Sequence, residues 1–169
     1  MNARQTMQPQ STVMCWTQLE SPIGKLRLRT DGDALTGVDF TPWVDELGSR
    51  DDQHPVLAAA RAQLEDYFTG GRRTFDLPLA PAGTEFSQRV WHALAEIPYG
   101  QTRSYAQVAV GLGLPAGAAR AVGAANGRNP VPVVLPCHRV VGANGTLTGY
   151  AGGLERKRIL LSLESPGLF

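Results

Sequence analysis

At 169 residues the chain can bury a real core, as one domain or as two small ones. Apolar residues make up 43% and charged residues 18%, a balance that reads as soluble and globular and excludes a disordered or membrane-spanning chain. The formal net charge of +1 conceals an asymmetry: residues 1–83 carry eight Lys and Arg against eleven Asp and Glu, residues 84–169 eight against four.

The opening MNARQTMQPQSTV has no continuous apolar run. Neither a signal peptide nor a membrane anchor is expected there, and residues 1–12 read as a frayed tail. Val13–Leu19, Lys25–Thr30 and Ala34–Phe40 read as short strands. Turn signals at Ser21–Gly24 and Asp31–Asp33 separate them, which predicts an antiparallel meander. Pro55 opens a helix through VLAAARAQLEDYF, stopped by Gly70 and Gly71. Phe75–Leu79 is expected to add a strand. Residues 80–83 read as a linker between a small N-terminal α/β domain (1–79) and a C-terminal domain (84–169), an α+β fold overall.

Thr84 is placed to cap a helix over Glu85–Glu96, with Phe86, Val90, Leu94 and Ile97 on one face. Pro98–Gly100 ends it. Ser104 caps a second helix, YAQVAVGL, and Gly113–Pro115 turns the chain into a third, from Ala116 to about Asn126. The C-terminal domain is thus mostly helical, with a helix-turn-helix signature. An ordinary pair of packed helices has the same pattern. The third helix carries one long side chain, Arg120, among Ala, Gly and Val. A major-groove reader would offer several polar side chains, whereas small residues and one Arg suit close approach to the minor groove. Tight packing on neighbouring helices is the plainer explanation. Between Ile97 and Arg158 seven basic residues face one acidic residue. A polyanion partner and a solvated basic face account for that equally well.

Asn129-Pro130-Val131-Pro132 cannot continue a helix, so the chain is expected to leave it extended and run into LPCHRVVG. Asn144-Gly145 reads as a turn, TGYAGG follows, and LERKRILLSLE forms the last helix, with Glu164 near its end. Cys15 and Cys137 are expected as two free thiols in a reducing cytoplasm. A thiol becomes a nucleophile when a cation, a helix N-terminus or an imidazole stabilises its thiolate, and His138 and Arg139 adjoin Cys137. Neighbours on a strand point to opposite faces, so His138 helps Cys137 only if the chain turns there or a water bridges them. A carboxylate such as Glu164 could orient the imidazole. Taken alone, a buried Cys is more often an inert small hydrophobe. Arg156-Lys157-Arg158 reads as a phosphate-facing or solvated face, and His54 and His92 as bland.

PCHRVVG, together with SYAQVA, AARAVG, NPVPVVLPCHRVVG and TGYAGG in this order, resembles the O6-alkylguanine-DNA alkyltransferases (methylated-DNA–protein-cysteine methyltransferases) across essentially all of residues 84–169. The first half resembles the family's variable α/β domain in outline. The resemblance implies irreversible, single-turnover transfer of an alkyl group from O6-alkylguanine in DNA to Cys137, with O4-alkylthymine as a further substrate class. The lesion would be reached from the minor groove with the nucleotide flipped out. His138 would draw off the thiol proton through a water, held by Glu164. Tyr105 would donate to the flipped guanine and help rotate it out, and Arg120 would fill its place in the stack. Ala119, Ala121, Gly123 and Arg128 would face DNA. Asn129 (a hinge), Pro132, Val140, Tyr150, Ala151 and Gly152 would form the guanine pocket. Many members have Ser where this chain has Ala151, and the backbone N–H used there survives the change. Some members bind zinc in the first domain. Here only Cys15 and His54 are available there, too few for a site, so no metal and no cofactor is expected. The expected partner is double-stranded DNA with alkylated bases, bound by a monomer able to cluster on it, with no membrane involved.

Three other readings remain at this stage. A Cys-His-Glu hydrolase would turn over. A helix-turn-helix regulator would want a dimer and a polar recognition helix. A lesion sensor related to the alkyltransferases would lack the acceptor cysteine.

Overall fold

The computed structural model describes residues 14–45 and 48–169. The tail expected over 1–12, and Val13 of the first predicted strand, lie outside the described residues. Strands β1 (Cys15–Leu19), β2 (Leu26–Thr30) and β3 (Leu35–Phe40) form the expected antiparallel meander. The period-2 pattern buries Cys15, Thr17 and Leu19 of β1 and leaves Trp16 and Gln18 half-buried. Leu26 and Leu28 of β2 are fully buried, whereas its Arg27 reaches Asp39 and Asp45, both at 2.8 Å. A two-residue strand absent from the sequence reading, β4 (Ser49–Arg50), pairs parallel to β1 and gives the order β3-β2-β1-β4. Helix α1 (Pro55–Phe68) buries Leu57, Ala60, Leu64 and Tyr67 at helical spacing.

Phe75–Leu79 is not a strand. Only Leu79 forms a bridge, to Leu35. Pro78 lacks the N–H a ladder needs, and its carbonyl instead accepts from Leu35 N at 2.8 Å. Phe75, Leu77 and Leu79 still pack against the core.

Thr84 caps α2 (Glu85–Ala95) by accepting from Ser87 N at 3.1 Å. Val90, Leu94 and Ile97 of the predicted face are buried, Phe86 is half-buried, and Trp91 is buried besides. Strand β5 (Arg103–Ser104) leads into α3 (Tyr105–Gly111). Ser104 and Gln107 form a reciprocal capping box, 3.1 Å from Gln107 N to Ser104 Oγ and 2.8 Å from Ser104 N to Gln107 Oε1. Ser104→Ala is expected to cost about 1 kcal/mol, read as a fall in melting temperature of about 2–4 °C.

The third predicted helix begins as a single 3₁₀ turn at Ala116–Ala118 and becomes α-helical only over α4 (Ala119–Gly127). Gly117, the poorest helix former after proline, lies in that turn. Trp91 Nε1 donates to Ala125 O at 2.9 Å and ties α2 to α4. Residues 129–135 are not extended. Leu135 N donates to Val131 O at 2.9 Å, Pro132 bridges Leu135, and Val133 takes φ 74°. Asn129 makes this possible: its Oδ1 accepts from Val131 N at 3.0 Å and its Nδ2 donates to Leu135 O at 2.7 Å. A left-handed β-branched residue costs on the order of 1–3 kcal/mol and persists only where its surroundings fix it.

Strand β6 (Val140–Val141) pairs parallel to β5. The Asn144-Gly145 turn follows, and α5 (Leu154–Glu164) closes the fold, burying Lys157, Leu160, Leu161 and Glu164. Buried residues of both halves form one contiguous cluster, from Cys15 to Leu160.

Candidate active site

The chain does turn at the thiol. Cys137–Arg139 is one 3₁₀ turn, closed by Arg139 N to Pro136 O at 3.0 Å. Successive side chains in such a turn are about 120° apart rather than opposed, so Cys137, His138 and Arg139 radiate into three different environments.

Cys137 is buried, and burial pushes its thiol up to about 11. The Asn129 amide, the Lys157 ammonium and Tyr150 pull the other way. The Tyr150 hydroxyl is buried beside the thiol without the geometry of a formal hydrogen bond, and its ring meets Phe40 edge-on at 5.8 Å. Lys157 corrects the expected solvated face. It is fully buried, donates to Val140 O at 2.6 Å and Thr148 O at 2.8 Å, and burial lowers its ammonium to about 8. Its neighbour Arg156 is half-buried, donates to Ile23 O and Gly152 O, and lies over Phe40. Only Arg158 is exposed. The basic run therefore holds the fold from within at two of its three positions.

His138 is fully buried, with Nε2 at 2.7 Å from Glu164 Oε1. The Glu164 carboxyl is held well below the carboxylate range: burial alone would raise it, but hydrogen bonds from His138 and Arg139 outweigh that. An ionised carboxylate only accepts, so Nε2 carries the proton and Nδ1 is the basic nitrogen. Nδ1 is buried with no protein partner. Burial lowers the imidazole below its ordinary value, and Glu164 opposes part of that.

Glu164 collects donors from four residues on three segments. Oε1 accepts from Tyr67 Oη at 2.7 Å, His138 Nε2 at 2.7 Å and Arg139 Nη2 at 2.9 Å. Oε2 accepts from Arg139 Nε at 2.9 Å and Gly100 N at 3.2 Å. Arg139 is itself buried and also donates to Ile97 O at 2.6 Å. The paired forks orient the carboxylate and compensate its buried charge.

The other predicted residues fall into two groups. Asn129, Pro132 and Val140 are buried near the 3₁₀ turn in sequence, and Asn129 acts directly on the thiol. Gly152 is buried where a Cβ would meet Phe40 and Tyr150 at under 3 Å, whereas Ala151 is exposed. Tyr105 opens α3, half-buried, and its hydroxyl accepts from Thr148 Oγ1 at 3.4 Å. Arg120, Ala121 and Arg128 are exposed on and after α4, with Ala119 and Gly123 half-buried. A Cβ at Gly123 would touch the Tyr105 ring at 3.6 Å, so α4 and Tyr105 share one surface. Arg120 and Arg128 are exposed, and their side chains make no hydrogen bond to Cys137, His138 or Glu164.

Three participants escape the sequence reading, Tyr67, Lys157 and Asn126, and Arg139, expected beside the thiolate, turns instead onto Glu164. Asn126, buried on α4, donates to Cys137 O at 3.3 Å and so links that helix to the thiol's own peptide unit.

Two family descriptions match the chain: "6-O-methylguanine DNA methyltransferase, ribonuclease-like domain" over residues 14–81 and "6-O-methylguanine DNA methyltransferase, DNA binding domain" over residues 85–166. A methylated-DNA–protein-cysteine methyltransferase of Methanosarcina acetivorans is 48% identical over 154 residues, covering 89% of this chain and 98% of that one. The constitutive enzyme of that name from Bacillus subtilis is 46% identical, covering 88% and 94%. Among solved structures, Mycobacterium tuberculosis OGT in complex with DNA superposes with a TM-score of 0.82 at 48% identity, covering 89% of this chain and 92% of that one.

Proposed function

The chain belongs to the 6-O-methylguanine DNA methyltransferase family, and on that footing we propose how its residues divide the work of moving an alkyl group from a DNA base to Cys137. The activity is direct DNA repair by a methylated-DNA–protein-cysteine methyltransferase, with DNA as the partner.

The observation that carries the assignment of roles is the buried chain Cys137, His138, Glu164. A thiol raised to about 11 by burial is almost wholly protonated at neutral pH. It needs a base, and His138 Nδ1 is the free imidazole nitrogen on the same turn. The proton relayed from the thiol to Nδ1 makes an imidazolium, which Glu164 stabilises at Nε2. The thiolate lies near Lys157 and Tyr150, which offset its charge. It displaces the guanine oxygen from the alkyl carbon, forming the C–S bond as the C–O bond breaks. Tyr105 accepts from Thr148, which leaves its own O–H proton for the departing oxygen. The backbone N–H of exposed Ala151 is available to the same oxygen. The product is a thioether, whose saturated carbon water does not attack, so each molecule reacts once.

A base stacked in duplex DNA hides its O6 carbon, so the nucleotide is rotated out. The minor groove is the docking side. Support comes from α4, where Ala119, Ala121 and Gly123 let the backbone come close and Arg120 projects alone. Arg120 and Arg128 are exposed and pair with no carboxylate among the described residues, which leaves both for the stack and the phosphates. One monomer serves each lesion, because the thiol, the imidazole, the carboxylate and Arg120 all stand on one chain. A thiol acceptor needs a reducing compartment, which supports the cytoplasm as the place of action.

Intact-mass analysis after mixing with an oligonucleotide carrying O6-methylguanine tests the reading, and an unmodified protein mass would reject it. Arg120→Ala is expected to slow repair of the duplex by up to roughly a hundredfold, because unstacking costs a few kcal/mol. Attack on free O6-benzylguanine should hardly change. Equal losses on both substrates would remove Arg120 from the flipping step.

A further inference from the structure

The N-terminal half reaches the catalytic carboxylate. Tyr67 is the last buried residue of α1, 97 positions before Glu164, and its side chain has no exposure. Its ring is packed edge-on against Phe68 at 5.3 Å and Tyr99 at 6.1 Å, and tilted against Phe75 at 5.6 Å. That packing leaves the hydroxyl one direction, toward Glu164 Oε1. Because the carboxylate is ionised, the phenol must be the donor.

Resting on the functional reading above, we propose that Tyr67 is a positioning residue for alkyl transfer, its hydroxyl competing with His138 for Glu164 Oε1 and so setting how strongly that carboxylate draws on the imidazole proton. Oε1 already serves three donors, and an ionised carboxylate offers about four lone-pair sites in all. Each donor on Oε1 spreads its negative charge and weakens its hold on the others. Tyr67 thereby keeps His138 in the neutral form that accepts the thiol proton. Sequence patterning hides this role, since Leu57, Ala60, Leu64 and Tyr67 form one ordinary core stripe.

The groups that share this field are few. On α5 they are Glu164 and Lys157, on the 3₁₀ turn Cys137 and Arg139, on α1 Tyr67 itself, before β5 Tyr99, and in the segment before α5 Tyr150. Arg139 and Lys157 oppose protonation of His138, Glu164 favours it, and Tyr67 acts only through Glu164. Removal of the Tyr67 hydroxyl leaves Glu164 four donors and no buried donor unpaired, so the fold is kept. It strengthens the remaining bond to Nε2 and raises the pH at which His138 loses its proton.

The test is the single-turnover rate constant on an O6-methylguanine duplex as a function of pH, for wild type, Tyr67→Phe and Tyr99→Phe. Tyr99 is the control, since its ring packs on Tyr67 but its hydroxyl donates to Leu163 O. Tyr67→Phe is expected to move the acidic limb upward by about half to one pH unit, and Tyr99→Phe to leave it in place. Site-specific 3,5-difluorotyrosine at position 67, a stronger donor of the same shape, should move the limb downward. Opposite shifts are beyond the reach of simple loosening. A limb that stays fixed in both Tyr67 proteins overturns the proposal, as does a uniform fall in rate without displacement. If Tyr67→Phe fails to fold, the difluorotyrosine protein decides alone. Absence of transfer by the wild-type protein would instead reject the functional reading itself.

Discussion

Cys137→Ala protein is expected to take up no alkyl group at all, while still binding duplex DNA. The loss is complete rather than partial because no second nucleophile is placed to substitute. Cys15 is buried in β1 of the sheet, on another element and outside the 3₁₀ turn. Binding survives because the cations assigned to DNA, Arg120 and Arg128, sit outside the Cys137 cluster, and because truncating the thiol leaves no buried polar group newly unpaired. Wild-type protein mixed with excess lesion should stop at one methyl per molecule. A repair time course in which each molecule clears several lesions would indicate a hydrolysable intermediate, and thus a different reaction. Residual transfer by Cys137→Ala would assign the acceptor elsewhere.

Glu164→Gln is expected to damage stability and chemistry together. Arg139 would lose the anion that balances it in a site with almost no solvent. Breaking a buried pair in this way costs about 3–5 kcal/mol, which for a chain of this size is a fall in melting temperature of about 6–20 °C. The transfer rate should fall about a hundredfold or more, since the amide neither fixes the tautomer of His138 nor stabilises its cation. The pH signature is separate. The Glu164 carboxyl is depressed in the fold, so its contribution to stability is present above the ordinary carboxylate value near 4.5 and is lost as pH falls below it. Wild-type protein should weaken steeply with acid there, and Glu164→Gln should show a flatter acid limb in thermal or urea melts. A variant as stable as wild type at pH 7 would show that Arg139 finds another partner.

The parts of this molecule that were legible in the sequence are those in which one local stretch carries its own physics. The strands of the meander alternate, Thr84 and Ser104 announce their helices, and PCHRV puts thiol and imidazole side by side. What stayed hidden depends on packing between distant segments. Lys157 reads as surface because it stands between two arginines, yet helix α5 turns it inward to cap the carbonyls of Val140 and Thr148. Tyr67 reads as core, and it is core, but the stripe says nothing of where its hydroxyl ends. Arg139 has no periodicity at all, and its bond to Ile97 O spans 42 residues. Residues 129–135 read as extended because two prolines lack backbone donors, whereas the Asn129 side chain supplies the bonds that fold them into a tight turn. Phe75–Leu79 misleads in the opposite direction: its apolar alternation reads as a strand, but Pro78 lacks the N–H a ladder needs.

The carboxylate of Glu164 also orders the site in time. Tyr67, Gly100, His138 and Arg139 lie 97, 64, 26 and 25 residues before it, so each contact closes a long loop whose entropy must be met before the bond returns anything. A ribosome adds about 5–20 residues per second, and the thiol therefore exists for on the order of a second or more before its carboxylate is made. Through that interval the imidazole has no fixed tautomer and Arg139 no anion. A protein whose nucleophile can be spent only once is thereby born with that nucleophile idle, and the same docking of the last helix that completes the fold also brings it to readiness.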